Sequence, residues 1–147
     1  MKFKAAVRDP KTLSSVCHSQ KMISKKAIIK LHPSRIRFIS TTNSVTDGTQ
    51  VWSSCRTEQL FGDHVIESKN DNSIYVEIVD LGQLLQALKC AEHGSNVTMK
   101  LAKVDTRQLM KLSMQTLLER HDVSLDVPVR VLTELEANNI VAPWMFL

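Results

Sequence analysis

The chain has 147 residues, 43% hydrophobic and 23% charged, which suits one compact domain and excludes wholesale disorder. Nineteen Lys and Arg against fifteen Asp and Glu leave a net charge of +4, enough to permit a polyanionic partner but not to demand one. No apolar run approaches the roughly 18 residues of a membrane span, the opening residues are too interrupted for a signal peptide, and three cysteines without paired spacing read as reduced thiols of an intracellular protein.

Met1 to Val7 alternates as a strand. Asp9 suits a helix N-cap and Pro10 the first helical position, and Leu13, Val16, Cys17 and Ile23 then fall on one side, so a helix is expected from Pro10 to about Lys25. Ala27–Leu31 reads as a strand, His32-Pro33-Ser34 as a turn, and Arg35–Ser40 as the return strand of a hairpin. Residues 41–49 are polar and carry Asp47-Gly48, a loop signal, and Gln50–Arg56 follows as a strand. Phe61–Glu67 is ambiguous, and Ile74–Val79 is a β-branched strand.

Asp80 then caps a second helix, with Gln83 as the expected capping-box partner, an apolar stripe of Leu81, Leu84, Leu85, Leu88 and Ala91, and Gly94 at the left-handed C′ position. Strands are expected at Val97–Lys103, Gln108–Met114 and Asp122–Leu132. In the last of these Val123, Leu125, Val127, Val129 and Val131 take one face, and Pro128, which has no N–H to donate, favours a sheet edge. Residues 133–147 are weakly patterned and finish on the apolar run Pro143-Trp144-Met145-Phe146-Leu147. The order is a β-α-β-β-β unit given twice with an uncertain strand between, which predicts an α+β domain with antiparallel sheets and both helices on one side.

At 100° per residue, Ser14, His18, Lys21 and Lys25 share one face of the first helix, with Lys11 beside them and no carboxylate. Gln83, Gln86, Lys89, Cys90 and His93 form the polar face of the second. Side by side, these faces suit sequence-blind contact with phosphates and carry no aromatic residue to stack on bases. Lysines on a solvated helix are also common in proteins that never touch nucleic acid, so the pattern acquires meaning only from its place in a fold. Other chemistry is poorly provided for. Cys90 and His93 lie one helical turn apart, but no second pair with zinc-ligand spacing joins them, the remaining candidates Cys17, His18, His32, Cys55 and His64 being scattered. Nothing marks an orienting third group for a Cys-His nucleophile, and Gly48, Gly62, Gly82 and Gly94 are too dispersed to cradle a phosphate. The expectation is a protein without metal, cofactor or catalytic residues.

A collinear series of stretches resembles the N-terminal half of the Hus-one (hydroxyurea-sensitive) family of checkpoint proteins. They are Met1-Lys2-Phe3-Lys4-Ala5, Leu13 with Met22-Ile23, His32–Ile39, Val51-Trp52, Asn72–Ile78, Leu84 with Ala87-Leu88-Lys89, and His121-Asp122-Val123 with Val127–Val131. The resemblance implies one lobe, residues 1–132, of a ring-shaped sliding clamp similar in fold to the proliferating cell nuclear antigen, with 133–147 a truncated or divergent connector to a second lobe. It implies that Lys11, His18, Lys21, Lys25, Gln86, Lys89 and His93 face duplex DNA. It also implies that the strand bearing Val123, Leu125, Val127, Val129 and Val131 pairs with a neighbouring subunit. The partners implied are two further checkpoint-clamp subunits in a heterotrimer, a clamp loader and DNA, with no membrane. The implied role is that of a non-catalytic platform for DNA-damage checkpoint signalling and repair in the nucleus, with the cytoplasm a second location. A replicative processivity clamp, a generic protein-interaction domain and a small enzyme using Cys90 and His93 are the readings set against it.

Overall fold

The computed structural model describes residues 1–41, 50–104 and 109–138. In chain order these form β1 (Lys2–Val7), α1 (Pro10–Lys21), β2 (Ala27–Leu31), β3 (Arg35–Thr41), β4 (Gln50–Arg56), the single turn α2 (Thr57–Leu60), β5 (Phe61–Glu67), β6 (Ile74–Ile78), α3 (Leu81–Glu92), β7 (Ser95–Val104), β8 (Leu109–Leu118), β9 (His121–Val131) and the short α4 (Glu134–Asn138). The strands make one nine-stranded sheet in the order β4-β3-β2-β6-β9-β8-β7-β1-β5, with the described ladders antiparallel. The fold is the expected α+β, and its two β-α-β-β-β units interlock. β1 leaves the strands of its own unit to pair with β7, and β6 joins β9 of its own unit to β2 of the other.

Strand alternation sends Phe3, Ala5, Ile29, Leu31, Ile36, Phe38, Val76, Met99, Leu112 and Val127 to one face, where they are buried together with Leu13, Leu84 and Leu88 of the two long helices. Phe3 and Phe61 meet edge to face, centroids 5.7 Å apart, joining β1 to β5 inside this core. α1 and α3 lie side by side over it. They run antiparallel: the Lys25 carbonyl, just past α1, accepts from Leu81 N–H at the start of α3 at 2.8 Å. Pro10 shares a cleft with Glu92 and Gly94 at the other end of the pair.

Several local expectations change. α1 stops at Lys21 and does not reach Lys25, because Ile23 and Ser24 N–H both turn back onto the Gln20 carbonyl and the Lys25 carbonyl is drawn to Leu81. Ser14, assigned to the polar face, is buried, since a helix packed against a neighbour loses the flank that faces it as well as the face over the sheet. Asp80 caps α3 through Gly82 N–H at 2.9 Å, and Gln83 makes no reciprocal side-chain bond among the described residues. Gly94 is not left-handed; His93 ends the helix in the right-handed region, and the chain passes straight into β7. The ambiguous Phe61–Glu67 is a strand at the sheet's edge. β9, expected at an edge because of Pro128, sits between β6 and β8, though β6 covers only its last three residues. The loop at 42–49, Gln108 and the apolar run at 143–147 lie outside the described residues.

Candidate nucleic-acid interface

The exposed surface of the helix pair is built by two N-caps and two apolar stripes. The Asp9 carboxylate accepts from Lys11 and Thr12 N–H at 3.2 and 3.3 Å and from the Thr12 hydroxyl at 2.6 Å. These bonds, the Thr12 hydroxyl foremost, hold the Asp9 carboxyl below the usual carboxylate range. With Leu13, Cys17 and Gln20 turned inward, Lys11, His18 and Lys21 of α1 are exposed. With Leu81, Leu84, Leu85, Ala87, Leu88 and Ala91 turned inward on α3, Gln86, Lys89 and His93 are exposed, together with Gln83.

The structure therefore puts six of the seven expected residues on the outer surface of two adjacent helices. The seventh, Lys25, stands in the turn after α1, where its ammonium lies 3.8 Å from Asp80. Lys21 points to the same end of the pair: a Cβ placed on Gly82 would lie 3.6 Å from its Nζ. Among the described residues Lys11, Lys21 and Lys89 form no ion pair. Within α1 and α3 the one carboxylate is Glu92, half-buried on the flank. The nearby Asp9 and Asp80 are engaged in capping. A surface with free ammonium groups and neutral amide and imidazole neighbours attracts a polyanion without reading its sequence.

The strand expected to meet a neighbour has a more specific geometry than its side chains suggest. Leu132 N–H donates to Tyr75 O of β6 at 2.9 Å. Stepping back by twos, the backbone groups of Arg130, Pro128, Asp126, Ser124 and Asp122 point to that same side of β9. β6 pairs only with Val129, Arg130 and Val131, so beyond Pro128 this side is unpaired among the described residues. Val123, Leu125 and Val127 direct their backbone groups to β8 instead, and Val127 and Val129 bury their side chains in the core. The residues that offer a free ladder are therefore Asp122, Ser124 and Asp126, and only the pairing pattern shows it. Lys111 Nζ holds Asp126 at 2.9 Å, and this bond lowers the Asp126 carboxyl from its ordinary value.

The cysteines are dispersed. Burial pushes the Cys17 thiol up to about 12, and burial also raises that of Cys55, with the Arg35 charge acting against it. No hydrogen bond joins the Cys90 thiol to the His93 ring; their link is backbone, His93 N–H to Cys90 O at 3.2 Å. Among the described residues no three His, Cys, Asp or Glu side chains converge as metal ligands, and no helix is long and apolar enough to cross a membrane.

Known proteins share both this architecture and this sequence. PCNA of Thermococcus kodakaraensis superposes with a TM-score of 0.59 at 18% identity, covering 87% of this chain and 46% of that one, which shows the sliding-clamp fold. Checkpoint protein hus1 of Schizosaccharomyces pombe is 29% identical over 97% of this chain and 50% of its own length. The hus1 homolog of Dictyostelium discoideum is 26% identical over 97% and 53%. The chain thus spans about half the length of the curated relatives it matches. A family model for Hus1-like protein matches residues 1–145, and the chain belongs to that family.

Proposed function

We propose that this chain is a lobe of a DNA-damage checkpoint sliding clamp, a non-catalytic subunit that joins two unlike clamp subunits in a ring around duplex DNA. Residues 1–132 form the lobe and 133–147 a divergent connector. α1 and α3 line the channel, and Lys11, Lys21, Lys25 and Lys89 meet backbone phosphates, with His18, Gln86 and His93 as neutral neighbours. The open half of β9 pairs with a strand of the adjacent subunit. A clamp loader places the ring on DNA, and the work is nuclear.

The observation that carries this reading is the helix pair itself: two adjacent helices in a clamp fold, on which Lys11, Lys21 and Lys89 are exposed and, among the described residues, form no ion pair. The test is duplex binding by the chain assembled with its partner subunits, measured against salt. Affinity should fall log-linearly, and neutralising Lys11, Lys21 and Lys89 together to Gln should reduce the slope by roughly 2–3, at about 0.9 per phosphate lost. A slope unchanged by the triple substitution would remove the helix face from the DNA contact. Recovery of unlike clamp subunits on co-purification supports the checkpoint ring, and recovery of self-trimers alone points to a replicative clamp.

A further inference from the structure

The chain leaves its last strand through a closely tied joint. Arg130 of β9 meets Glu77 of β6 at 3.3 Å with one guanidinium nitrogen and Glu136 of α4 at 2.6 Å with another. Glu136 also accepts from Thr133 N–H at 3.1 Å, and the Thr133 hydroxyl accepts from Glu136 N–H at 3.2 Å, a capping box that starts α4. A helix of five residues does not persist by itself. These bonds, with Ala137 buried, seat it against the fold.

So held, α4 forms one wall of an open groove of about 260 Å³. Ile74, Tyr75, Val131 and Leu132 line it, Met1 stands at its rim, and the turn at Ser68–Ser73 is the far wall. That turn is braced as well. The Ser68 hydroxyl donates to the Ser73 carbonyl at 2.7 Å and accepts from Asn70 N–H at 3.1 Å, and the Asn72 side chain accepts from Ser68 N–H at 3.2 Å. The Lys30 ammonium, 5.4 Å from the Tyr75 ring centroid, supports that ring. Both walls are fixed by bonds of their own, so the groove exists before anything enters it. Met1 remains 63% exposed beside it.

We propose that the apolar run Ile140–Leu147 folds back into this groove and seats Trp144 against Val131 and Ala137. The run has eight consecutive residues without a charge, and such a stretch gains most from cover. The spacing fits. α4 rises about 7.5 Å over its five residues. A chain that reverses after Asn138 needs about three residues to turn and two or three more to run back that length. This brings Pro143 and Trp144 alongside Ala137 and Glu134. Asn138 and Asn139 are the residue type that most readily follows glycine into a left-handed reversal. Pro143 has no N–H to leave unpaired on an apolar floor, and the Glu134 carboxylate offers the indole N–H an acceptor at the rim. The clefts lined by Asn96 are at the opposite end of β9. They lie roughly 35 Å away, beyond the ~20 Å that the six residues to Trp144 can span. The docking is independent of what α1 and α3 bind.

The test uses the full chain carrying Trp52→Phe, which leaves Trp144 as its one tryptophan. Trp144 emission should be blue-shifted, and its quenching by acrylamide several-fold weaker, relative to the denatured chain. Ser73→Tyr, which fills the groove from the turn, should return both to the denatured values with amide positions elsewhere retained. In the otherwise unchanged chain, Trp144→Gly, outside the folded core, should shift the backbone amides of residues 68–75 and 131–137 and leave those of 95–104 in place. Denatured-like Trp144 emission from the folded chain, burial that Ser73→Tyr leaves unchanged, Trp144→Gly shifts that miss the groove, or burial lost on dilution, which would place the run on a second copy, would each overturn the docking.

Discussion

Gly94 shows how a residue can be required for a reason its neighbours in sequence do not reveal. Its place after α3 suggests a left-handed cap, yet its φ is not positive. A Cβ there would collide with the Thr116 hydroxyl and lie 3.1 Å from both Thr116 Cβ and the Leu117 carbonyl. The glycine lets β7 leave the helix flush against β8, and the Thr116 hydroxyl uses the closeness to donate to the Ser95 carbonyl at 3.0 Å. Gly94→Ala should therefore destabilise by about 1–3 kcal/mol, the usual range for an overpacked site, read as a lower Tm. Adding Thr116→Ala should recover part of that and not all, because the Leu117 carbonyl remains in the way. An unchanged Tm for Gly94→Ala would mean that the two strands separate easily at this end.

Among elements, the long helices were the most legible, since their signals are local. Asp9-Pro10 and Asp80 mark the starts, and the leucine stripe of α3 fixes its inward face. The strands were legible as strands but not as neighbours, because pairing joins residues far apart in sequence. Nothing near Phe61–Glu67 announces that it borders β1, and nothing near Arg35 announces that Arg56 stands opposite. β9 is the instructive case. Pro128 pointed to an edge, and among the described residues the strand is paired on both sides at one end and on one side at the other, with Pro128 at the transition. This yields a paired prediction. Ser124 faces the open side and Leu125 bonds to β8 through Met114. Ser124→Pro should leave Tm nearly unchanged and abolish capture of a neighbouring clamp subunit, whereas Leu125→Pro should lower Tm by removing a ladder bond inside the sheet. Equal loss of Tm in both variants would place the open side of β9 inside the fold.

At the scale of the whole molecule, the exchange of first strands decides how the chain folds. Cutting it at the exposed turn around Asn70–Asn72, where Asp71 and Asn72 have positive φ, separates the two units. The N-terminal piece keeps β4-β3-β2 and β1-β5 as two disconnected patches, because β6, β9, β8 and β7 lie between them in the sheet. The C-terminal piece keeps β6-β9-β8-β7 contiguous with α3, but its apolar face has lost Phe3, Leu13, Ile36 and Phe38. The two pieces should therefore fail differently. Residues 1–70 alone should give the narrow amide dispersion of an unfolded chain. Residues 71–147 alone should show secondary structure by far-ultraviolet circular dichroism without fixed side-chain packing. Mixed in equal amounts they should restore the dispersed spectrum, since β1 can slot between β7 and β5 and β6 can close on β2. The intact chain, with no unit able to bury its own core, should unfold in one cooperative transition. A natively dispersed spectrum from residues 1–70 alone would show that the patches hold without the strands between them, and the interlock would then be a matter of topology and not of stability.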